Sequence, residues 1–208
     1  MKKLFLILLF IPIVSYGQDL NKESNGYTEV VEVKLSKKEI HQKINEWIAI
    51  NYKSAQDVVQ LNTEDKVIVK GNFSFTSFIS GDTFGVRNTL TLSVRDNKYK
   101  IDLVPSSIFD KSTMKDVPKT NITQYMIGIR TYEEFKIFAR KNFITLMMNQ
   151  GYSEKRSIKL MEKTMTEEDL NDLYLKKEKT FIDFNNNIKS FFQSIKNYVN
   201  SSNTDDDW

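Results

Sequence analysis

The chain holds one histidine, His41, and no cysteine among its 208 residues. That inventory excludes thiol nucleophiles, cysteine-ligated zinc, iron–sulfur clusters and any site needing two imidazoles. His41 lies in SKKEIHQKINEWIAINY, residues 36–52, where Ser36 followed by Glu39 reads as a helix capping box. At about 100° per residue, Ile40, Ile44, Trp47 and Ile48 share one face of that helix and His41 falls on its flank. A catalytic imidazole needs an orienting partner and a nucleophile or substrate proton within hydrogen-bond reach. One turn on from His41 is Asn45, and Glu39 is not on its side. The stretch is expected to be a packing helix with a surface or structural histidine.

Paired carboxylates are the next chemistry to look for, because glycoside hydrolysis sets two across a cleft. Glu29, Glu32, Asp82, Asp96 and Asp102 fall on expected strands or turns, and no spacing singles out a pair. Glu167, Glu168 and Asp169 open a helix, where acidic side chains suit the dipole. Asp205, Asp206 and Asp207 form an acidic tail, read as solvating and not as a cation cage. Asn121-Ile122-Thr123 fits a glycosylation sequon without further support. No catalytic, cofactor-binding or metal-binding residue is assigned, and no cofactor is expected.

The N-terminus has the form of an export signal. Lys2 and Lys3 precede an apolar run from Leu4 to Val14, then Ser15-Tyr16-Gly17 and Gln18. The run is about half the roughly 20 residues needed to span a bilayer, so cleavage near Gly17/Gln18 is expected and no membrane anchor thereafter. The mature chain would be periplasmic or secreted. Losing Lys2 and Lys3 lowers the formal charge from +3 to +1, too little for a nucleic-acid-binding footprint.

The elements that would position any site follow from periodicity. Residues 27–35 alternate, with Val31, Val33 and Leu35 on one face and Thr28, Glu32 and Lys34 on the other. Short strands are expected over 58–61 and 67–76. Residues 84–95 and 98–103 read as a hairpin around Asp96-Asn97, residue types that tolerate tight-turn angles. Leu90, Leu92, Val94, Tyr99, Ile101 and Leu103 make its oily face. Thr89, Thr91, Ser93, Arg95, Lys98 and Lys100 make a polar face that can stay open.

Residues 105–130 read as a loop, and helices follow. One spans 131–150, opened by Thr131 with Glu134 and stopped at Gly151. Its stripe of Phe135, Phe138, Ala139, Phe143 and Leu146 opposes Ile137, Ile144 and Met148, so it is expected to be sandwiched. A short helix follows Ser153, and a long one starts near Glu167. Phe181, Phe184, Ile188, Phe191, Ile195 and Tyr198 recur on it with coiled-coil-like spacing. That seam would serve either a hairpin with 131–150 or association between chains.

The segments YTEVVEVKLSKKEIHQKINEWIAINYKSAQDVVQL, KVIVKGNFSF and SVRDNKYKI together resemble a family of exported bacterial proteins of unknown function with a TATA-binding-protein-like fold. The resemblance covers about residues 27–104 and is carried chiefly by Ser36-Lys37, Trp47-Ile48 and Lys70-Gly71. It implies a helix packed on a curved antiparallel sheet, and it implies no activity.

The expected organisation is a signal peptide (1–17), a linker (18–26), an α+β head (27–104), a loop (105–130), a helical extension (131–200) and a disordered acidic tail (201–208). The function expected is an exported, non-enzymatic binding or interaction module for an unknown protein or envelope ligand. Two alternatives stand beside it: a structural protein forming homo-oligomers through the C-terminal helix, and a carboxylate-dependent envelope hydrolase. Nucleic acid is not an expected partner, because the open face lacks the apolar wedges with which TATA-binding protein opens the minor groove.

Overall fold

The computed structural model describes residues 19–21, 26–117 and 131–201. The expected signal peptide, the sequon and residues 202–208 of the acidic tail lie outside them. In chain order the strands and helices of the head are β1 (Asp19–Asn21), β2 (Gly26–Glu32), α1 (Lys37–Asn51), α2 (Ala55–Val58), β3 (Val59–Thr63), β4 (Lys66–Thr76), β5 (Thr83–Arg95), β6 (Lys98–Asp110) and β7 (Asp116–Val117). Three helices follow: α3 (Tyr132–Asn149), α4 (Glu154–Thr164) and α5 (Glu167–Asn200). The strands form one antiparallel sheet of order β1-β2-β6-β5-β4-β3, with β7 also paired to β6. This is an α+β fold with a helical C-terminal region.

The hairpin of β5 and β6 forms the sheet's centre. Asn97 takes the left-handed turn angle expected of it, φ 62°. All six residues of its oily face are buried, together with Val67 and Val69 from β4. Over this face lies α1, closed at its start by the Ser36–Glu39 capping box. Ile40, Ile44, Trp47 and Ile48 are buried against the sheet, as their shared face requires.

The strand β6 continues past the expected boundary, through Pro105 to Asp110. Proline cannot donate to the ladder, so this segment reads locally as loop. The structure accommodates it with a bulge: pairing steps from Asn88↔Pro105 to Arg87↔Ser107, leaving Ser106 unpaired. The expected loop of 105–130 therefore begins with strand, and β7 adds a further pair within it; residues 118–130 lie outside the described residues. The expected linker of 18–26 likewise contains β1, paired along β2.

The largest correction concerns the C-terminal helix. Its 34 residues run unbroken for about 50 Å. Its second half lies on the head beside α1, where Phe184, Ile188, Phe192, Ile195 and Val199 complete the core over the sheet. The anticipated seam is thus spent within the chain, and Phe184, Ile188 and Ile195 are unavailable to a second copy. Its register also shifts, because the buried line replaces Phe181, Phe191 and Tyr198 by Thr180, Phe192 and Val199. A straight helix turns with a period of 3.6, whereas the seam assumed the 3.5 of a supercoil. Phe191 still meets the Trp47 ring edge-on at 5.4 Å, and the Tyr198 hydroxyl donates to Glu46 at 3.3 Å.

Polar contacts tie the same half of α5 to the sheet. The backbone N–H groups of Thr76 and Phe78 donate to Asp183 Oδ2 and Thr180 Oγ1, each at 2.9 Å. Lys196 Nζ lies 2.8 Å from Glu29 Oε1, both side chains being largely buried. The first half of α5 leaves the head and carries α3, with Phe135, Ala139 and Leu170 forming a small separate core. Gly151, at φ +91°, ends α3 as expected. The expected sandwiching of α3 does not extend to Ile137, which is 70% exposed.

Candidate binding face

Strand pairing places every second side chain on the sheet surface facing away from α1 and α5. One row across it is Lys66, Ser93, Lys100 and Val30; the next is Ile68, Thr91, Asp102 and Thr28. Arg95 and Lys98 stand opposite each other beside the turn, and Lys70, Thr89 and Val104 make a third row. The six residues anticipated for an open face therefore do share one surface. Thr89, Thr91 and Ser93 are half-buried among their neighbours, while Arg95, Lys98 and Lys100 are exposed.

Asp102 organises the centre of this surface. It accepts from Thr28 Oγ1 at 2.7 Å and pairs with Lys100 Nζ at 2.8 Å. Two cations directly opposite, Arg95 and Lys98, repel each other, and such a pair weakens a sheet unless something compensates. Sequence reasoning missed Lys66, Ile68 and Lys70. Their signal was present, since Val67 and Val69 had to face the core and their neighbours therefore could not.

The far end of the surface was not legible. The Ser106 bulge reverses the alternation of β6, so Ile108 faces the core and Phe109 turns to the open side opposite Gly85. A Cβ at Gly85 would lie 2.1 Å from the Phe109 ring, so only glycine lets that ring lie flat on the strand. The Arg87 guanidinium covers the ring at 4.5 Å and pairs with Asp116 of β7. This end is apolar, capped and closed, while the hairpin end is polar and open.

The candidate chemical groups are dispersed. His41 Nε2 lies 2.8 Å from Asn62 Oδ1, and Asn62 Nδ2 donates to Asn45 Oδ1 at 2.8 Å. This cluster ties α1 to the edge strand β3, with the amides of Asn62 and Asn45 as the ring's partners. Glu39 is engaged by the capping box, where the Ser36 hydroxyl holds its carboxyl below the usual range. Glu29 faces the core, whereas Glu32 and Asp102 face the opposite side of the sheet. Asp96 accepts from the Lys37 backbone N–H at 2.8 Å. Among the described residues, no group of three or more His, Asp or Glu side chains is placed to hold a metal ion. No helix among them is long and apolar enough to cross a membrane.

No curated protein matches the chain. Two solved structures are similar to it. A TBP-like protein from Parabacteroides distasonis has 15% identity and a TM-score of 0.45, covering 86% of this chain and 97% of that one. A DUF4468 family protein from Bacteroides ovatus has 12% identity and a TM-score of 0.48, covering 86% and 88%. Residues 27–105, from β2 to the proline of β6, match the family described as "Domain of unknown function (DUF4468) with TBP-like fold".

Proposed function

We propose that this chain is an exported, non-enzymatic binding module whose recognition surface is the hairpin end of the open sheet face. The observation that carries this reading is the alignment of Lys66, Ser93 and Lys100 in one row beside the facing pair Arg95 and Lys98. Among the described residues, the two helices packed on the sheet, α1 and the second half of α5, lie on the other side. The surface is rigid because its strands are anchored by a fully buried core, and a preorganised face loses little entropy on binding. Export is supported by the basic, apolar and small-residue order of residues 1–17. Lys66, Arg95, Lys98 and Lys100 outnumber Glu32 and Asp102 on this face, an excess of positive charge that suits an acidic partner in the envelope.

A photo-crosslinking residue placed at Thr91, compared with one at Lys189 on the outer side of α5, tests the proposal in intact cells. Adducts should form from position 91 and disappear when Arg95, Lys98 and Lys100 are all changed to Glu. Adducts that form equally from position 189, or that survive the charge reversal, would sink it.

A further inference from the structure

The helix α5 crosses the head from the end of β4 to β2. Thr180 and Asp183 accept from backbone N–H groups at the end of β4, whereas Lys196, about four turns on, reaches Glu29 of β2. Along β2, the step from Tyr27, which donates to Asn185, to Glu29 leads toward the β5–β6 turn. At the end of α5 the Ser201 carbonyl accepts from the Lys43 ammonium of α1 at 2.7 Å. The helix therefore delivers residues 202–208, with Asp205, Asp206, Asp207 and Trp208, to the hairpin end of the head. There β2 is an edge: β1 pairs with it only up to Thr28, which leaves Glu29 to Glu32 at the border among the described residues. Around that edge, on the open face, stand Lys100 opposite Val30 and Lys98 opposite Glu32.

We propose that residues 205–208 dock on the basic hairpin end of the open face of their own chain, as a built-in competitor for an acidic ligand. Three aspartates there meet Lys66, Arg95, Lys98 and Lys100, a complementary charge set. Lys100 pairs with Asp102, but no ion pair among the described residues engages Lys66, Arg95 or Lys98. The reach suffices. Seven extended residues span about 23 Å at roughly 3.3 Å each. The way from the helix layer past one edge strand is about 15 Å, a layer spacing near 10 Å plus a strand spacing near 5 Å. Val30, 53% exposed beside Lys100, offers the Trp208 ring an apolar seat with cations around it. Tethering sets the tail at an effective concentration on the order of millimolar, so weak contacts occupy the face. The competition rests on the recognition surface proposed above; the contact itself does not.

The test treats the full chain with a zero-length carbodiimide crosslinker, which joins carboxylates to amines in direct contact, and identifies the joined peptides by mass spectrometry. Links from residues 205–207 should fall on Lys66, Lys98 and Lys100. They should avoid Lys38 of α1 and Lys189 of α5, exposed amines on the helix side of the sheet. At about 1 M salt, where charges are screened beyond roughly 3 Å, the links should fade. A fluorescein-labelled hexaglutamate then probes the face. The chain ending at Ser201 should bind it about tenfold more tightly than the full chain, as for a face left open about a tenth of the time. The chain with Asp205→Asn, Asp206→Asn and Asp207→Asn should match the shortened one. No links, or links favouring Lys38 and Lys189, would overturn the proposal. So would links between isotope-labelled and unlabelled chains, which place the tail on a second copy, or equal peptide affinity in all three chains. Links on the face with no peptide bound by any chain would support the docking and sink the recognition surface instead. Adducts from position 91 in cells without such links would sink the docking alone.

Discussion

The head and the arm share the helix α5, and they differ in what that helix meets. On the head, α5 faces a sheet already half covered by α1, and Phe184, Ile188, Phe192, Ile195 and Val199 are fully buried. On the arm the same helix meets one amphipathic partner, and three residues make the buried core. A sheet presents a broad surface that two helices can seal. A pair of helices seals only the line between them, and the rest of each apolar stripe stays at a groove or in water. The matched family domain, residues 27–105, lies wholly within the head yet leaves out one of the two helices that seal it.

The most severe way to break this comparison is to end the chain after Met165. Five buried side chains would leave the head core, at about 2 kcal/mol each, roughly 10 kcal/mol in all. That approaches the whole stability of an ordinary domain, about 5–15 kcal/mol. The truncated chain should show no cooperative urea transition; a stable, cooperative fragment would mean that α5 is an accessory to the head. Single substitutions measure the same contrast. Trp47→Ala and Phe184→Ala should each cost about 3–5 kcal/mol by urea denaturation. Phe135→Ala in the arm should cost about 2, because the small arm core can collapse around it. Equal losses from Phe184 and Phe135 would erase the distinction.

The ion pair joining α5 to β2 gives a smaller effect. Lys196→Met leaves Glu29 buried without its partner and should cost about 2–3 kcal/mol, less than a fully enclosed pair because Lys196 keeps 17% exposure. Adding Glu29→Gln should restore part of the loss. High pH should act on the head as well. Burial raises the Tyr27 and Tyr99 hydroxyls, Tyr99 also feeling the Glu29 charge, and pushes Tyr52 up to about 12. Below about pH 10 these groups are neutral in both folded and unfolded chains, and their contribution is complete. Above it the unfolded chain releases protons that the folded chain retains. Stability should then fall by roughly 1.4 kcal/mol per pH unit for each tyrosine until its folded value is reached. Tyr99→Phe should flatten the slope, as seen in urea midpoints from neutral to alkaline pH. The smallest effect belongs to His41→Gln, which removes one surface contact to Asn62 and should cost less than about 1 kcal/mol.

The turn-proximal half of the central hairpin was legible in the sequence, and its extension past Pro105 was not. Leu90, Leu92, Val94, Tyr99, Ile101 and Leu103 alternate with polar residues, and that alternation depends only on neighbours along the strand. The α1 face and the Ser36 and Thr131 capping boxes were legible for the same reason, their partners lying within one turn. Phe109 was not, because a bulge at Ser106 reverses its side through pairing with a strand some twenty residues distant in sequence. Of the open face, the hairpin residues were read from the sequence; Lys66, Ile68 and Lys70 carried the same alternation, and the register of β4 against β5 set which rows they join. The cover of the α3 stripe could not be read at all. An apolar stripe shows that a helix needs a partner, and it does not show how much of the stripe that partner will cover.

The amino-acid sequence by itself determined the α+β class, the strand faces, the helix starts and the lack of thiol or paired-imidazole chemistry. Each of these follows from residue type or from spacing along the chain. The tertiary structure decided that α5 completes the head core, that its buried line runs through Phe192 and Val199, and that α3 meets only the first half of α5 in a small separate core. Those outcomes depend on which surfaces compete for the same helix. A helix carrying apolar residues on adjacent stripes has no local reason to prefer one, and the sheet buries the stripe that fits a period of 3.6.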